Sequence, residues 1–247
     1  MDAHAKARAL ARSLESIADP SIRVRYVRSV IEAMRPADAA ELVTVAVSGA
    51  EARDGSQGAL LLALCLALAD EDAVPVRDAI VRAALERGHH ATASLLSPAR
   101  AAREAAEDEP AVPDFGTGRP LTLGERKALA RRRDRQLLAR VLHDPHPDVI
   151  RILLTNPALT EDDVLRLCAR RPVPPEVLRE VFRSTRWIVR YRVRRAIVQN
   201  PFAPIDVALQ LAVHLDAPDA RAIATAGDLS PAVRDACRRV AGMMTVH

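Results

Sequence analysis

The chain has little of three things that many globular proteins use: aromatic side chains, lysine and glycine. Aromatic residues make up 2% of the 247 residues, so the core has to be built from small aliphatic side chains, as in closely packed helices. Seventeen prolines stand against nine glycines, which indicates many short helices separated by proline-containing turns. Only Lys6 and Lys127 are lysines among the 36 basic residues, and a GC-rich genome is the simplest explanation for so much arginine.

Cysteines and long apolar runs are also scarce. Cys65, Cys168 and Cys237 are far apart and odd in number, with no CxxC pair, a pattern that argues against a disulfide framework and favours a reducing cytoplasm. Residues 1–6 carry charge where a signal peptide needs an apolar core. The longest apolar run, residues 59–69, is too short to cross a bilayer. We therefore expect a soluble cytoplasmic protein with no membrane span.

Catalytic motifs are missing from the sequence. It contains no Gly-rich phosphate loop, no HExxH, no GxSxG and no kinase-like set. Residues 143–148 (His-Asp-Pro-His-Pro-Asp) offer metal ligands, but Pro145 and Pro147 prevent the two histidines from sharing one regular helix. A turn explains this segment better, so we expect no enzymatic activity, no metal and no cofactor.

The strongest pattern in the chain is an echo of 44 residues in its second half. Residues 149–157 (Val-Ile-Arg-Ile-Leu-Leu-Thr-Asn-Pro) return as residues 193–201 (Val-Arg-Arg-Ala-Ile-Val-Gln-Asn-Pro), and the chain continues alike after each Asn-Pro. Repetition of this kind is typical of stacked helical-repeat proteins. Asn156 and Asn200, near the end of the two copies, are expected at helix ends.

A second motif opens helices in both halves: a turn with Asp, Ser or Pro, followed by Val-Arg or a near variant. It occurs at residues 19–25, 72–79, 144–151 and 230–236. The Asp or Ser side chain can accept hydrogen bonds from the first free amides of the helix, and proline fits where no N–H is needed. Because the valine buries against the preceding unit, repetition of the motif stacks pairs of helices.

These motifs resemble HEAT-like repeats, and the Asn-Pro segments followed by Asp-Val-Leu or Asp-Val-Ala resemble the leucine-rich-repeat-variant branch of bacterial helical repeats. The resemblance covers residues 143–240 and is looser over residues 1–105. It implies an all-α fold, an α-solenoid of stacked short helices. That family repeats in about 24 residues, so a spacing of 44 implies two fused or modified units. Some members hold an iron–sulfur centre in a cysteine cluster, which this sequence lacks.

Composition divides the chain into three parts. Residues 1–105 predict a helical, loosely repeat-like segment, in which residues 60–68 are apolar on every side and predict a buried central helix. Residues 106–121 are rich in acidic residues, Pro and Gly and predict a linker. Residues 122–247 predict a helical-repeat domain, and Thr122 followed by Glu125 has the spacing of a capping box.

Positive charge is concentrated in the second half. Residues 116–247 hold 23 basic and 14 acidic residues, and six arginines fall within residues 183–195 with no acidic residue among them. If this run is one helix, Trp187 and Tyr191 lie together on it, four residues apart. Arginines beside exposed aromatics suit phosphates, bases or an acidic protein patch; a solvated face, with Trp187 packed between repeats, is the alternative. The candidate binding residues are Arg183, Arg186, Trp187, Arg190, Tyr191 and Arg194. A second basic run, partly offset by Glu125 and Asp134, comprises Arg126, Lys127, Arg131, Arg132, Arg133 and Arg135.

These patterns predict a non-enzymatic adaptor or scaffold that binds a protein partner through a surface including the Arg-rich helix 183–195, since repeat arrays present extended concave surfaces. The alternative is a nucleic-acid-binding protein that uses the basic second half, with an affinity that falls steeply as salt rises. A third hypothesis is a DNA-base-excising enzyme, which needs an acid and aromatic side chains lining a basic cleft.

Overall fold

The computed structural model describes residues 2–99, 101, 112–116 and 118–243. Within these ranges the chain is all-α, as predicted, and an isolated antiparallel bridge between Ala101 and Pro204 is the only extended pairing. The helices are α1 (Ala3–Glu15), α2 (Pro20–Glu32), α3 (Pro36–Glu51), α4 (Gly55–Ala67), α5 (Val74–Glu86), α6 (His90–Leu96), α7 (Leu123–Ala130), α8 (Arg135–Val141), α9 (Pro147–Leu154), α10 (Glu161–Ala169), α11 (Pro175–Arg183), α12 (Thr185–Ile188), α13 (Tyr191–Val198), α14 (Ile205–Ala212), α15 (Ala217–Ala224) and α16 (Pro231–Val240).

Side-chain caps fix where several of these helices begin. The carboxylate of Asp19 accepts hydrogen bonds from the amides of Ser21 and Ile22, and Pro20 occupies the first position of α2, where no N–H is needed. Thr122 and Glu125 form the predicted capping box at the start of α7. The capping residues and the prolines, which can be identified in the sequence, therefore define where these short helices begin.

The prediction of one continuous helix through residues 183–195 is wrong. Three elements share this run: the end of α11, the single turn α12, and α13. Two residues with extended backbone separate these elements: Ser184, with a ψ of 101°, lies between α11 and α12, and Arg190, with a ψ of 124°, lies just before α13. The interruption turns Val189, which an unbroken helix would bury, into a residue that is 42% exposed.

Small aliphatic side chains fill the core, as the scarcity of aromatics implies. Leu60, Leu61 and Leu64 of α4 are fully buried, and α4 packs against α1, α2 and α3, which confirms the predicted central helix of the first half. All three cysteines are buried and unpaired. The largest fully buried side chains belong to Trp187 and Phe182, both in the second half of the chain.

The two copies of the echo place their asparagines in the same role. Asn156 follows α9, and its amide Nδ2 donates to the carbonyls of Ala130 and Arg132 at the end of α7, both at 2.8 Å. Asn200 follows α13, and its Nδ2 donates to the carbonyls of Cys168 and Arg170, at 2.7 and 2.9 Å. Each asparagine therefore satisfies two backbone carbonyls at the end of an earlier helix. This role explains why an asparagine stands at both Asn-Pro positions.

The first and second halves pack against each other. Helix α14 contacts both α4 and α6, and α12 contacts α2. Polar bonds cross the same boundary: Gln210 Nε2 donates to the carbonyl of Leu95 at 2.7 Å. The division into two domains stays a prediction, and residues 106–111 and 117 of the predicted linker lie outside the described residues. In the part of the chain that is described, no helix has the length and apolar content that crossing a membrane requires.

Candidate binding surfaces

Trp187 is a packing residue that also anchors two arginines. Its side chain is 1% exposed, and its indole N–H donates to the carbonyl of Leu154 at 2.8 Å. The guanidinium groups of Arg186 and Arg190 lie over the ring, 4.5 and 4.9 Å from its centroid. Because both burial and cation–π contacts already occupy the ring, it has no free face on which a base could stack.

Arg183 lies at the boundary between the two halves, since it bonds residues of both. Its Nε donates to the carbonyl of Ala69 at 3.1 Å, and its Nη1 donates to Glu180 at 2.8 Å. Glu180 is 4% exposed and also accepts two bonds from Arg151 of α9, at 2.9 and 3.2 Å. A buried carboxylate between two guanidinium groups joins α9 to α11, and sequence analysis did not single it out.

Residues 156–162, which begin with the Asn of the first Asn-Pro pair, supply acceptors for three arginines: Arg186, Arg190 and Arg192. Arg186 Nη1 donates to the carbonyl of Asn156 at 2.9 Å. Arg190 Nη1 donates to Glu161 at 2.7 Å, while Arg192, 64% exposed at its side chain, reaches the acids of α10 less closely. The acids that balance Arg190 and Arg192 therefore lie 29 and 30 residues earlier in the chain.

Tyr191 and Arg194 are joined to the following helices and to the preceding turn. The Tyr191 hydroxyl donates to Asp219 at 2.6 Å, and burial together with this bond raises the pKa of Tyr191 above its usual range. Arg194 Nη1 donates to the carbonyls of Ile188 and Val189, at 3.1 and 2.8 Å, and burial lowers the pKa of Arg194. All six predicted binding residues thus have partners within the chain, and their contact with an outside partner stays a prediction.

The second basic run divides into paired and unpaired members. Arg126 donates twice to the fully buried Asp144, at 2.7 and 2.9 Å. Lys127 pairs with Asp148 at 2.7 Å, and Arg135 pairs with Asp163 at 2.6 Å. The two acids that the sequence places beside the run act as helix caps instead: Asp134 accepts from the first amides of α8, and Glu125 belongs to the capping box.

Arg131, Arg132 and Arg133 form a surface that we call the basic turn, between α7 and α8. All three are exposed, and no carboxylate in the described ranges lies within ion-pair distance of them. Two hydrogen-bonded contacts stabilise the backbone of this turn. The carbonyl of Arg132 accepts a hydrogen bond from Asn156, and the side chain of Asp134 caps the start of α8. Sequence analysis included these residues in a basic run but could not separate them from their paired neighbours.

The histidine-rich segment before α9 serves as a turn, as the sequence indicated. Asp144 is occupied by Arg126 and by the amide of His146. His146 caps α9, because its Nδ1 accepts from the amide of Asp148 at 3.2 Å. Among the residues with described positions, no group of three or more His, Cys, Asp or Glu side chains is placed to hold a metal ion.

Comparison with known proteins adds no family to this account. No protein-family model, no curated protein and no solved structure matches the chain.

Proposed function

We propose that this protein is a non-enzymatic adaptor that binds an acidic patch of a partner protein, with the basic turn as the centre of the contact. The observation that carries the proposal is the basic turn itself: three consecutive exposed arginines, left without acidic partners among the described residues, on a turn whose backbone accepts a hydrogen bond from Asn156. The planar guanidinium group binds carboxylates in a bidentate manner.

The Arg-rich run contributes to the edge of the same surface. Arg186 donates to the carbonyl of Asn156, whose side chain in turn holds the carbonyl of Arg132. The basic turn and Arg186 therefore lie on either side of one asparagine. Arg190 and the more exposed Arg192 continue the positive edge, although Glu161 and Asp162 partly neutralise them. This arrangement moves the centre of the proposed contact from the Arg-rich run 183–195 to the basic turn.

The pattern of cross-helix bonds supports an α-solenoid of HEAT-like or leucine-rich-repeat-variant type as the scaffold. Lys127 bonds Asp148, Arg151 bonds Glu180, and Arg179 bonds Asp206, which are partners 21, 29 and 27 residues apart. These separations are close to one repeat unit, so each unit is joined to the next by an ion pair. In repeat proteins, such nearest-neighbour interfaces carry the stability and leave one surface free for binding. The three buried thiols agree with a cytoplasmic protein.

Nucleic-acid binding is the second candidate, because exposed arginines also suit phosphates. Two observations weaken it: the Trp187 ring has no free face, and the half-buried Tyr191 ring has the guanidinium of Arg194 5.9 Å from its centroid. Base stacking, which strengthens most single-strand binding, therefore has no exposed aromatic in the Arg-rich run. The same two residues would have to line the cleft of a base-excising enzyme, so that third hypothesis has no support here.

A competition between two polyanions separates the first two functions. Labelled poly-glutamate and a labelled DNA duplex of equal charge are titrated with the full chain at low and physiological salt, and binding is read by fluorescence anisotropy. The adaptor proposal expects poly-glutamate to bind at least as tightly as DNA, with Arg192→Gln causing a smaller loss than substitution of the basic turn. Binding of DNA alone, with a steep salt dependence, contradicts the adaptor proposal and favours the nucleic-acid reading.

A further inference from the structure

A cavity of about 400 Å³ lies between the first and second halves, away from the basic turn. Its walls come from α2, from the turn between α3 and α4, from the start of α4, and from the segments around α13 and α14. Three arginines line it, Arg23, Arg53 and Arg194, together with Asp54 and His214. A volume of this size matches small-ligand pockets, which are typically a few hundred cubic ångströms.

Arg194 enters this cavity from α13 without a carboxylate partner, and the centroid of the Tyr191 ring lies 5.9 Å from its guanidinium carbon. Its Nη1 donates only to two backbone carbonyls, and its Nε is buried without a hydrogen-bond partner. Within the described ranges, no acidic side chain lies within ion-pair distance of it. Partial burial of a cation without a carboxylate partner costs free energy, and binding of an anion would reduce that cost.

Arg53 and Arg23 complete the positive wall, and neither forms an ion pair with a carboxylate among the residues that the structure describes. Arg53 has a φ of +66°, an unusual conformation for a residue with a side chain. This conformation lets its guanidinium donate to the carbonyls of Leu215 and Val240, at 2.7 and 2.6 Å. Arg23 uses its Nε to reach the carbonyl of Ile17. Each guanidinium keeps further N–H donors, because the group has five of them.

The remaining polar groups of the cavity do not cancel this charge. Asp54 is committed to the start of α4, where it accepts from the amides of Ser56 and Gln57, at 2.9 and 3.1 Å. His214 has a buried Nε2 without a partner, and burial together with the nearby charge of Arg194 lowers the pKa of His214 to about 3. Because the imidazole of His214 is neutral, the charged groups of the cavity are three arginines and the carboxylate of Asp54, which already accepts hydrogen bonds from α4.

Gly55 and Gly58 line the wall formed by α4. A Cβ at Gly55 would meet no atom within 4 Å, and one at Gly58 would stand 3.8 Å from Nδ1 of His214, so there is open space along this wall. Apolar side chains, among them Leu62, Val189 and Val213, form the rest of the lining.

We propose that this cavity binds a small oxyanion, a phosphate- or carboxylate-bearing molecule whose charged group contacts Arg23 and Arg194 and whose apolar part lies against Leu62, Val189 and Val213. The site is independent of the basic turn. Because it joins the two halves, an occupied cavity couples ligand binding to the packing between them, and the ligand stabilises the folded chain by mass action.

Isothermal titration calorimetry of the full chain tests the proposal, with phosphate, pyrophosphate and citrate as separate probes at an ionic strength kept constant with chloride. We expect saturable binding of at least one probe, and the order of affinities distinguishes phosphate from carboxylate ligands. Arg194→Gln and Arg23→Gln are each expected to weaken binding about tenfold or more, the effect of losing one charge-assisted hydrogen bond.

Arg25→Gln is the matched control, since Arg25 is exposed on the same helix as Arg23 and does not line the cavity. This variant, and one that replaces the basic turn, should bind the probe as the unmodified chain does. If Arg194→Gln fails to fold, as judged by circular dichroism, Arg23→Gln alone decides the question. Absence of saturable binding overturns the proposal, and so does equal binding by the Arg23 variant and the Arg25 control.

Discussion

The amide nitrogen Nδ2 of Asn156 donates a hydrogen bond of 2.8 Å to the backbone carbonyl of Arg132, 24 residues earlier in the chain. This bond links the repeat to the proposed function. The asparagine belongs to the echoed Asn-Pro motif, and the carbonyl belongs to the basic turn. The residue that bonds the carbonyl at the end of α7 therefore also bonds the backbone of the turn that carries three exposed arginines.

Replacement of Asn156 by alanine should destabilise the protein by about 2–3 kcal/mol, because two backbone carbonyls lose their donor and the amide of Ala158 loses its acceptor. The free energy of unfolding is measured by urea denaturation. Thr155→Ala is the control: Thr155 is exposed and bonds only within its own helix end, so its effect should stay within about 0.5 kcal/mol. Equal effects of the two substitutions would show that the asparagine does not secure the turn.

Glu180→Gln keeps the shape of the side chain and removes its charge. Glu180 accepts from both Arg151 and Arg183, so we expect a loss of about 1–3 kcal/mol in the free energy of unfolding. This loss is smaller than that expected for a fully buried ion pair, because the Arg151 side chain is 55% exposed and solvent screens its charge. Glu176→Gln removes a surface charge from the same helix, 59% exposed at its side chain, and should change stability little. A loss no larger than that of the control contradicts the role of Glu180 as a connector.

Trp187 is the single tryptophan of the chain, so its fluorescence reports its surroundings without interference. We expect a blue-shifted emission and strong protection from acrylamide quenching in the folded protein, both lost in urea. Trp187→Phe keeps most of the ring but loses the bond to the carbonyl of Leu154, at a cost of about 1 kcal/mol. Emission typical of water-exposed indole in the folded state would contradict the packing described here and return the ring to the candidates for base stacking.

Prediction from the sequence succeeded where the signal is local. Proline and capping residues mark helix starts, as at Thr122 and Glu125, and an unbroken apolar run marks the buried helix α4. Prediction failed where a residue's partner is distant in the chain. The interval 183–195 contains no acid, yet Glu161, Glu180 and Asp219 approach its side chains in the fold. Helical periodicity gives the face on which an arginine lies, but it does not give the carboxylate that another helix brings to that face.

The interruption of the helix at Ser184 and Arg190 could not be predicted from the sequence for a similar reason. Neither residue is a strong helix breaker, and the extended backbone there is stabilised by tertiary contacts such as the burial of Trp187 and the bond from Arg190 to Glu161. The cavity between the halves was equally hidden, since Arg23, Arg53 and Arg194 are far apart in the sequence. They line one cavity where α14 packs against α4 and α12 packs against α2.

The buried His214 predicts that stability falls in mild acid. Its pKa is lowered to about 3 in the folded protein, whereas an unfolded histidine titrates near 6.5. Between these values the unfolded chain binds more protons, so the free energy of unfolding decreases as pH falls from about 6.5, by about 1 kcal/mol per pH unit well below that value. The charged groups that share the cavity with His214 are Arg23, Arg53, Arg194 and Asp54.

The measurement is a series of urea titrations from pH 7 to pH 4.5 in chloride buffer, on the unmodified chain and on His214→Gln. The upper part of this interval lies above the titration of the carboxylates with lowered pKa values, such as Asp163, whose pKa is lowered to about 2. We expect a smaller slope in the variant. Identical slopes in the two proteins contradict the assignment of the acid sensitivity to His214.

The central claim is that the basic turn, rather than the number of positive charges, makes the binding surface. Fluorescence anisotropy with labelled poly-glutamate tests it by comparing two triple variants of equal net charge: one with glutamine at Arg131, Arg132 and Arg133, the other with glutamine at the exposed Arg8, Arg12 and Arg25. Three lost ion pairs at about 0.5–1 kcal/mol each should weaken binding by the basic-turn variant at least about tenfold. The control should retain nearly the affinity of the unmodified chain, whereas equal losses in both variants would contradict the claim.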